Sequence, residues 1–553
     1  MNLSLLAIGF GLLLIAGYRL YGGWVARQFA LDDATPTPAV SRSDGVDYVP
    51  TRPFYLFAQH FSAIAAAGPI AGPILACQSF GWLPCLIWIA LGVVLIGAVH
   101  DFGSLTASVR HGGRSLAEIT REQLGPRAGR AFLGFLWIAL LYVVVAFSDL
   151  TAGTFVAGTE ELQQGNVSFN PGGAVAAASV LYLALAVTMG LVQRFLRPPL
   201  WLVTVIFVPA TFALSWAGTH LSHLLVLDHR TWALLILVYC GVGSVVPVWA
   251  LLQPRGYLGG FVLYAALAAG LIGIFFGGYE VVQPAWKGWD AGGATGTLFP
   301  FLFVTIACGA CSGFHGLVCS GTTSKQIERE SHMHQIGYGA MLAEGFVALI
   351  ALVTIMIATT DQTKGLAPGT IYGNGIGRFI CIVLGEDKLA FATTFGAMAF
   401  STFVFDTLDV CVRLGRYILQ ELFGWSGRAG AALATLVTLA VPTYFLSFAG
   451  QGGWLKFWVL FGASNQLLAA LTLLVLTIWL RRSKKPIAFT LLPMLFVLST
   501  TSVALFKLLR ANLEKAQGFD IAAINALAAL SFLGLALFLA LQALTALRSA
   551  RRG

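Results

Sequence analysis

Apolar segments about 20 residues long follow one another along the whole chain, and they restrict its fold more than any other feature. Each is long enough to cross the ~30 Å hydrocarbon core of a bilayer as one helix. We therefore predict an all-α, polytopic membrane protein with about 15 transmembrane helices. The segments lie at residues 3–21, 54–77, 83–108, 129–156, 173–192, 199–219, 231–250, 256–277, 299–320, 336–359, 388–412, 428–447, 453–480, 486–508 and 522–546.

The overall composition excludes several classes of protein. Of the 553 residues, 58% are hydrophobic and 10% are charged. No polar stretch is much longer than about thirty residues, which is too short for a soluble catalytic or nucleotide-binding domain. The sequence also lacks an H-E-x-x-H motif, the signature of a zinc protease. We therefore expect neither an enzyme nor a bound cofactor.

The net charge of +9 is typical of a nucleic-acid-binding protein, but the positions of the basic residues indicate membrane orientation instead. Lysine and arginine are concentrated in every second loop, and the loops between them hold mainly acidic residues. By the positive-inside rule the basic loops face the cytoplasm. This predicts an N-terminus outside, a C-terminus inside and no nucleic-acid partner. The basic regions include residues 22–53, 110–128, 321–335 and 481–485, the loop that contains Arg255, and the tail at 547–553.

The segment at 54–77 contains the sequence AAAGPIAGPILA, which places two Gly-Pro pairs near its middle. Proline lacks a backbone donor and clashes with the preceding turn, so a helix bends or unwinds there. The segment at 299–320 is interrupted in a similar way by CGACSGFHG. In a bilayer, freed N–H and C=O groups are tolerated only where protein or a wet cavity satisfies them. One broken helix in each half of the chain is typical of a transporter's binding site, and kinked packing helices are the alternative.

The residues around the two breaks are the candidates for substrate binding. His60 and His315 each lie within reach of a break, where an imidazole can bond a carboxylate or a neighbouring backbone carbonyl. Hydroxyl groups form the polar mouth of the second broken segment. The full candidate set is His60, Gly68, Pro69, Gly72, Pro73, Ser312, Gly313, His315, Gly316, Ser320, Thr322 and Thr323.

The two halves of the chain show the same order of features. The G-x-x-x-G of the first broken segment corresponds to the G-x-x-G of the second, and Asp101 in the next segment corresponds to Glu344. The second break lies seven segments after the first, and an odd offset reverses the direction of a segment through the membrane. We therefore predict inverted repeats with one broken helix in each. The predicted division is an anchor helix at 1–21, a cytoplasmic linker at 22–53, repeats at 54–277 and 299–546, and a basic tail at 547–553.

Several acidic residues lie inside apolar segments. A charge at mid-bilayer costs ~3 kcal/mol or more, so such a residue is a candidate functional group. Arg413 follows Asp406 and Asp409 on one helix face, which makes an internal ion pair the alternative for these two acids. We assign Asp149 and Arg413 to structural ion pairs. The candidates for carrying the coupling proton are Asp101, Glu344, Asp406 and Asp409.

Cys308, Cys311, His315 and Cys319 follow the spacing i, i+3, i+7 and i+11, which invites a zinc site. A tetrahedral site surrounds its ion, however, and the side chains of one straight helix cannot do so. The neighbouring glycines favour close helix packing, so we predict no metal site. A nearby G-x-x-x-x-G-T-T sequence lacks the lysine of a phosphate-binding loop, which excludes ATP hydrolysis.

Five motifs resemble those of the carbon starvation protein A family of bacterial inner-membrane carriers. They extend in the same order from about residue 50 to residue 480. The motifs are HFSAIAAAGPIAGP (His60–Pro73), GAVHDF followed by SxRxxGRSL (Gly97–Leu116), CGACSGFHGLVCSGTTSK (Cys308–Lys325), FDTLDVCVRLGRYILQ (Phe405–Gln420) and FGASNQLLAA (Phe461–Ala470).

This resemblance implies a secondary transporter related to the amino acid–polyamine–organocation superfamily. Its expected activity is import of a small organic acid, with pyruvate first, coupled to H+ or Na+ across the bacterial inner membrane. A peptide or amino-acid uptake carrier is the alternative, followed by a membrane-embedded enzyme or a nutrient sensor. The family often carries paired histidines where this chain has Gln59-His60, so the fold transfers more directly than the substrate.

Overall fold

The computed structural model describes residues 2–44, 47–156, 162–164, 167–292, 296–448, 453–518 and 520–549. Helices account for most of this part of the chain, and the all-α prediction is confirmed. In chain order the first helices are α1 (Leu3–Ala16), α2 (Gly23–Phe29), α3 (Pro38–Ser41), α4 (Pro53–Ile64), α5 (Gly68–Phe80), α6 (Trp82–Gly92), α7 (Ala98–Arg110), α8 (Leu116–Leu124), α9 (Pro126–Val156), α10 (Pro171–Phe195), α11 (Leu200–His220) and α12 (His229–Val245).

The remaining helices are α13 (Leu252–Phe276), α14 (Leu298–Thr305), α15 (Gly313–Gly321), α16 (Gly339–Met356), α17 (Thr360–Thr363), α18 (Pro368–Leu384), α19 (Leu389–Phe423), α20 (Gly427–Phe448), α21 (Trp454–Arg482), α22 (Ala488–Lys515) and α23 (Ile521–Ser549). One antiparallel hairpin joins β1 (Leu162–Gln164) to β2 (Val167–Phe169). Short 3₁₀ turns occur at Val248–Ala250, Thr323–Lys325 and Glu386–Lys388, and π-helical turns at Gly17–Gly22, Val93–Gly97 and His334–Tyr338.

Within the described residues, 12 helices are long and apolar enough to cross a membrane, or up to 13 when the bent pair α4 and α5 is counted as one span. The predicted count of about 15 is therefore not confirmed. The segment at 231–250 forms α12, an apolar helix of 17 residues, and the segment at 299–320 is divided between α14 and α15. In the other direction, α18 occupies a stretch that the sequence pattern predicts as a loop, because Gly, Asn and Arg interrupt its apolar run.

Both predicted helix breaks are present, and the first begins before the Gly-Pro pairs. Helix α4 ends at Ile64, α5 begins at Gly68, and the two are bent by 44°. Pro69 lies in the first turn of α5, where a backbone N–H would have no acceptor within the helix, so proline costs no hydrogen bond there. The proline therefore starts the second half-helix, and the unwound residues precede it.

The chain packs as two compact units that each draw on both halves of the sequence. The first unit contains Met1–Ala7, Leu140–Pro284 and Ile350–Phe457, and the second contains Ile8–Ala139, Ala285–Leu349 and Trp458–Gly553. Both broken helices belong to the second unit. These are units of packing, and the division into inverted repeats stays a prediction.

Candidate functional site

The two helix breaks contact each other closely within the second unit. A Cβ atom added to Gly68 would lie 2.5 Å from the Cys308 sulfur, and one added to Gly72 would lie 2.7 Å from the Thr305 carbonyl oxygen. Real Cβ atoms do not approach other atoms this closely, so glycine lets the start of α5 lie against the unwound end of α14. The sequence pattern places these glycines at a substrate site, which stays a prediction, and the structure shows that they allow the two breaks to pack.

Four buried side chains from three helices meet beside the second break and form what we call the acid–histidine cluster. His315, in the first turn of α15, has its Nδ1 atom 2.9 Å from Asp101 Oδ2 and its Nε2 atom 3.3 Å from Glu344 Oε2. Asp101 Oδ1 lies 2.7 Å from Nδ1 of His100. Each ring nitrogen of His315 thus faces a different carboxylate, and the imidazole can pass a proton between them.

The local backbone explains why two distant acids reach one histidine. Asp101 follows the π-helical turn Val93–Gly97 by four residues, and Glu344 follows the π-helical turn His334–Tyr338 by six. Such turns are frequent at functional sites, because the extra residue re-aims the side chains that follow it. The predicted correspondence between Asp101 and Glu344 therefore extends to the helix geometry around them.

The acid–histidine cluster is incompletely hydrogen-bonded. Glu344 and His100 are both fully buried. Within the part of the chain that the structure describes, Glu344 Oε1 and His100 Nε2 have no hydrogen-bond partner. A buried carboxylate with a free oxygen is costly while charged, so this cluster is suited to taking up a proton or a polar ligand.

Several predicted substrate-binding residues lie near the cluster but bond to each other or to their own helix. Nδ1 of His60 lies 2.9 Å from the Thr323 hydroxyl, so the structure brings these two predicted residues together. Ser320 donates to the Gly316 carbonyl at 2.7 Å and Thr322 to that of Val318 at 3.2 Å. These two hydroxyls cap helical carbonyls, which is the ordinary behaviour of Ser and Thr inside a helix.

Asn465 lies at the second break and was not among the predicted site residues. Its Oδ1 atom accepts from the Phe314 N–H at 2.9 Å, and its Nδ2 atom lies 3.2 Å from the Ser312 hydroxyl. The signal in the sequence was an Asn-Gln pair inside a long apolar run, the FGASNQ motif. Buried polar amides in a membrane helix are retained for a partner, and here the partner is the start of α15.

The first unit contains a second group of buried charges, which we call the arginine cluster. Arg255 lies 2.6 Å from Asp406 through Nη2 and 2.6 Å from Asp409 through Nη1. The Tyr239 hydroxyl accepts from Arg255 at 2.6 Å and donates to Asp409 at 2.8 Å. The sequence pattern assigned Arg255 to a cytoplasmic loop. That assignment is wrong, because α13 begins at Leu252 and Arg255 is 1% exposed.

Asp149 and Arg413, the two residues predicted to form structural ion pairs, lie in the same unit. Arg413 donates to the carbonyl oxygens of Gly243 and Val246, at 2.6 and 2.8 Å, at the C-terminal end of α12. A helix C-terminus presents unpaired carbonyls and a partial negative charge, which attract a guanidinium. Asp149 Oδ1 lies 3.2 Å from His229 Nε2. The sequence pattern offered an ion pair between Arg413 and the acids Asp406 and Asp409. In the structure these two acids form ion pairs with Arg255 instead.

The cysteines proposed and then rejected as zinc ligands do not share one helix. Cys308 and Cys311 lie in the unwound stretch before α15, whereas His315 and Cys319 lie within it. Among the residues that the structure describes, no group of three or more His, Cys, Asp or Glu side chains could hold a metal ion.

Buried acids beside two broken helices, in a chain with at least 12 apolar helices, are the features of a secondary transporter. The chain belongs to the family described as carbon starvation protein CstA, whose model matches residues 1–373 and 359–504. The resemblance seen in the sequence motifs is thereby confirmed.

The relatives of this chain are named as transporters. It is 32% identical to the peptide transporter CstA of Campylobacter jejuni, over 88% of this chain and 77% of the relative. It is 31% identical to the pyruvate/proton symporter BtsT of Escherichia coli, over 91% of this chain and 81% of the relative. A crystal structure of the Eremococcus coleocola manganese transporter has a similar fold, with a TM-score of 0.50 and 11% identity over 92% of this chain and 99% of that chain. The chain is therefore a multi-pass membrane transporter.

Proposed function

We propose that this protein is a proton-coupled symporter that imports a small organic acid, with pyruvate as the first candidate, across the bacterial inner membrane. The observation that carries this proposal is the contact between Glu344 and His315, which lies in the first turn of the half-helix α15. A helix N-terminus suited to binding an anion and a protonatable acid therefore lie side by side. Both the substrate anion and the coupling proton would be bound there.

The anion would bind at the second break. The first N–H groups of α15 point toward its N-terminus, and the helix dipole adds a partial positive charge there. Ser312 precedes the helix as its N-cap residue. His60 and His315 would donate further hydrogen bonds to the substrate carboxylate, and the other predicted binding residues would shape the passage around it.

Coupling would follow from charge repulsion. Two like charges about 4 Å apart interact by about 4 kcal/mol at the effective dielectric of many protein sites. A charged Glu344 would therefore repel an incoming carboxylate, and a proton on Glu344 would remove that repulsion. Anion and proton then favour each other's binding, which is the requirement for symport. Asp101, held by His100 and His315, is the second proton site on the same path.

A peptide or amino-acid carrier is the second candidate, and it assigns a different role to the Glu344 carboxylate. The free oxygen of Glu344 could pair with a substrate amine instead of holding a proton. The relative from Campylobacter jejuni is named a peptide transporter, which supports this candidate. In that case Asp101 would be the coupling group.

Uptake by purified protein in proteoliposomes separates the two candidates. We expect labelled pyruvate to accumulate when the outside is acidified, without added sodium, and a protonophore to abolish the accumulation. Liposomes without protein are the control. Accumulation of labelled di- or tripeptides with no pyruvate uptake would favour the second candidate, and a requirement for sodium would replace the proton as the coupling ion.

The proposed orientation, with the N-terminus outside and the C-terminus inside, is tested by thiol labelling. In a background without native cysteines, a cysteine placed in the loop at 278–298 should react with an impermeant reagent from outside the cell. One placed at 110–128 or 321–335 should react only after permeabilisation. The reverse result would overturn the orientation.

A further inference from the structure

The Asn465 side chain contacts both the unwound stretch of the second broken helix and the start of α15. Its Nδ2 atom lies 3.2 Å from the sulfur of Cys308, within the unwound stretch, and its Oδ1 atom accepts from the Phe314 N–H in the first turn of α15. The side chain is 4% exposed and lies on α21, which runs directly beside the break. A Cβ atom added to Gly313 would lie 2.4 Å from the Asn465 backbone oxygen. One amide therefore ties the unwound stretch to the first turn of α15.

The partners of this amide differ in strength. The Phe314 N–H belongs to the first turn of α15 and is one of the donors that an anion would use. The Asn465 carbonyl thus occupies a position suited to a carboxylate oxygen. Its amino group, in contrast, lies against a thiol and a hydroxyl, and a thiol is a weak acceptor. The amino group is therefore easily turned toward a better acceptor.

We propose that Asn465 is a specificity-determining residue that contacts the substrate carboxylate. One carboxylate oxygen replaces Oδ1 on the Phe314 N–H, because a charged acceptor makes the stronger hydrogen bond. The released amide turns and donates its N–H to the other oxygen. The free, fully buried Glu344 oxygen beside the same turn of α15 is a separate sign that polar ligand groups are accommodated here.

This inference rests on the proposed function only in requiring a substrate with a carboxylate, a group that pyruvate and peptides share. It holds for either candidate substrate. The rival role for Asn465 is purely structural: its side chain would only accept a hydrogen bond from the Phe314 N–H, which has no partner within its own helix. The two roles make opposite predictions for aspartate at this position.

Asn465→Asp is the decisive variant because it separates capping from substrate contact. A carboxylate oxygen accepts a hydrogen bond from a backbone N–H at least as well as an amide oxygen does, and a negative charge near a helix N-terminus is favourable. A structural cap would therefore work as well as before or better. A substrate contact would fail, because the new carboxylate holds the Phe314 N–H more firmly and repels the substrate anion.

The measurement is the KM for uptake in proteoliposomes, together with the thermal unfolding midpoint, for whichever of pyruvate or a dipeptide the wild-type protein accumulates. We expect Asn465→Asp to raise KM by at least about tenfold with an unchanged unfolding midpoint. The ratio of mutant to wild-type KM should fall at lower pH, where the aspartate is protonated. An unchanged KM with an unchanged midpoint would show that Asn465 only caps the helix.

Gln466→Ala is the matched control, since Gln466 is the next buried amide on α21 and donates to the Phe303 carbonyl at 2.8 Å. It should lower the unfolding midpoint and change KM by less than about threefold. If Asn465→Asp does not fold, Asn465→Ser keeps an uncharged cap without the amide, and an unchanged KM there would also overturn the proposal. Lack of pyruvate uptake by the wild type counts against the proposed substrate alone, whereas a substrate without a carboxylate would overturn both proposals.

Discussion

The two buried charge clusters of this protein contain the same number of carboxylates but differ in the cations that neutralise them. In the first unit, Asp406 and Asp409 are held by Arg255, whose guanidinium stays charged at every physiological pH. In the second unit, Asp101 and Glu344 face His315, an imidazole whose ring nitrogens can each accept or donate a proton. A permanent cation fixes the charge state of its partners, whereas a histidine allows it to change.

The contacts therefore favour the second unit as the place of proton coupling. The carboxylates of the arginine cluster are bonded at 2.6 Å, and a tyrosine hydroxyl adds a further bond to one of them. This arrangement holds α12, α13 and α19 together. In the acid–histidine cluster the ion-pair contact between His315 and Glu344 is 3.3 Å, and neither Glu344 oxygen has a hydrogen-bond partner within the described residues. Asp406 and Asp409 become the less favoured of the four predicted coupling groups.

The largest expected effect is that of Glu344→Gln, which imitates the protonated acid. We expect it to abolish accumulation driven by a pH gradient but to keep exchange of internal for external substrate, because exchange needs no net proton movement. Accumulation and exchange are measured in the same proteoliposomes. Asp101→Asn is the comparison: if it alone loses accumulation, Asp101 is the coupling group and the roles are reversed.

Arg255→Ala should have the next largest effect. It should lower the stability of the protein and not the coupling of transport to protons. It leaves the buried Asp409 and the partly buried Asp406 without their guanidinium, and the loss of one partner from a buried ion pair typically costs about 3–5 kcal/mol. The unfolding midpoint in detergent measures the loss of stability.

Arg510→Ala is the control for Arg255→Ala, since the pair between Arg510 and Glu514 is surface-exposed and contributes little. A triple variant, Arg255→Met with Asp406→Asn and Asp409→Asn, should recover most of the stability, and failure to recover would point to a role beyond charge pairing.

A smaller effect is expected for the ion pair between Arg110 and Glu330, which lies at the end of α7 outside the apolar core. The two side chains bond through two contacts of 3.0 and 2.7 Å, and they are 23% and 4% exposed. Glu330→Gln should cost about 1–2 kcal/mol, less than Arg255→Ala, because solvent screens this pair. A double-mutant cycle with Arg110→Ala, read from unfolding midpoints, gives the coupling energy. If Glu330→Gln cost as much stability as Arg255→Ala, the larger cost expected for the more deeply buried charges would be contradicted.

The smallest effect concerns Asp33, a surface carboxylate held mainly by hydrogen bonds from Ser331. Bonds from the Ser331 backbone N–H and hydroxyl lower the pKa of Asp33 below its usual value. The folded protein thus binds this proton less readily than the unfolded chain, so the stabilisation is complete above the usual pKa and disappears as the pH falls through the lowered one. The midpoint difference between wild type and Asp33→Asn should correspond to less than about 1 kcal/mol at pH 6 and should disappear as the pH falls through the lowered pKa. A difference that grows on acidification would contradict this assignment.

Much of the architecture could be predicted because hydropathy and proline act locally. About 20 predominantly apolar residues in a row mark a membrane helix wherever it packs, and both breaks are visible as Gly-rich interruptions. The acids Asp101 and Glu344 stood out for the same reason, since a charge in an apolar run is costly. Where the apolar run was itself interrupted, as in α18, the same method failed.

The sequence by itself thus determined the all-α membrane fold, the two broken helices, the family and the candidate acids of this protein. Only the tertiary structure decided which of these groups meet. Asp101 and His315 are 214 residues apart, and Arg255 and Asp406 are 151 apart, so no local pattern links them. Asn465 lacked a visible partner for the same reason, because its partner is a backbone N–H that becomes free only where α15 begins. Pairing across such distances is set by helix packing, which brings distant residues together through contacts along whole helix faces.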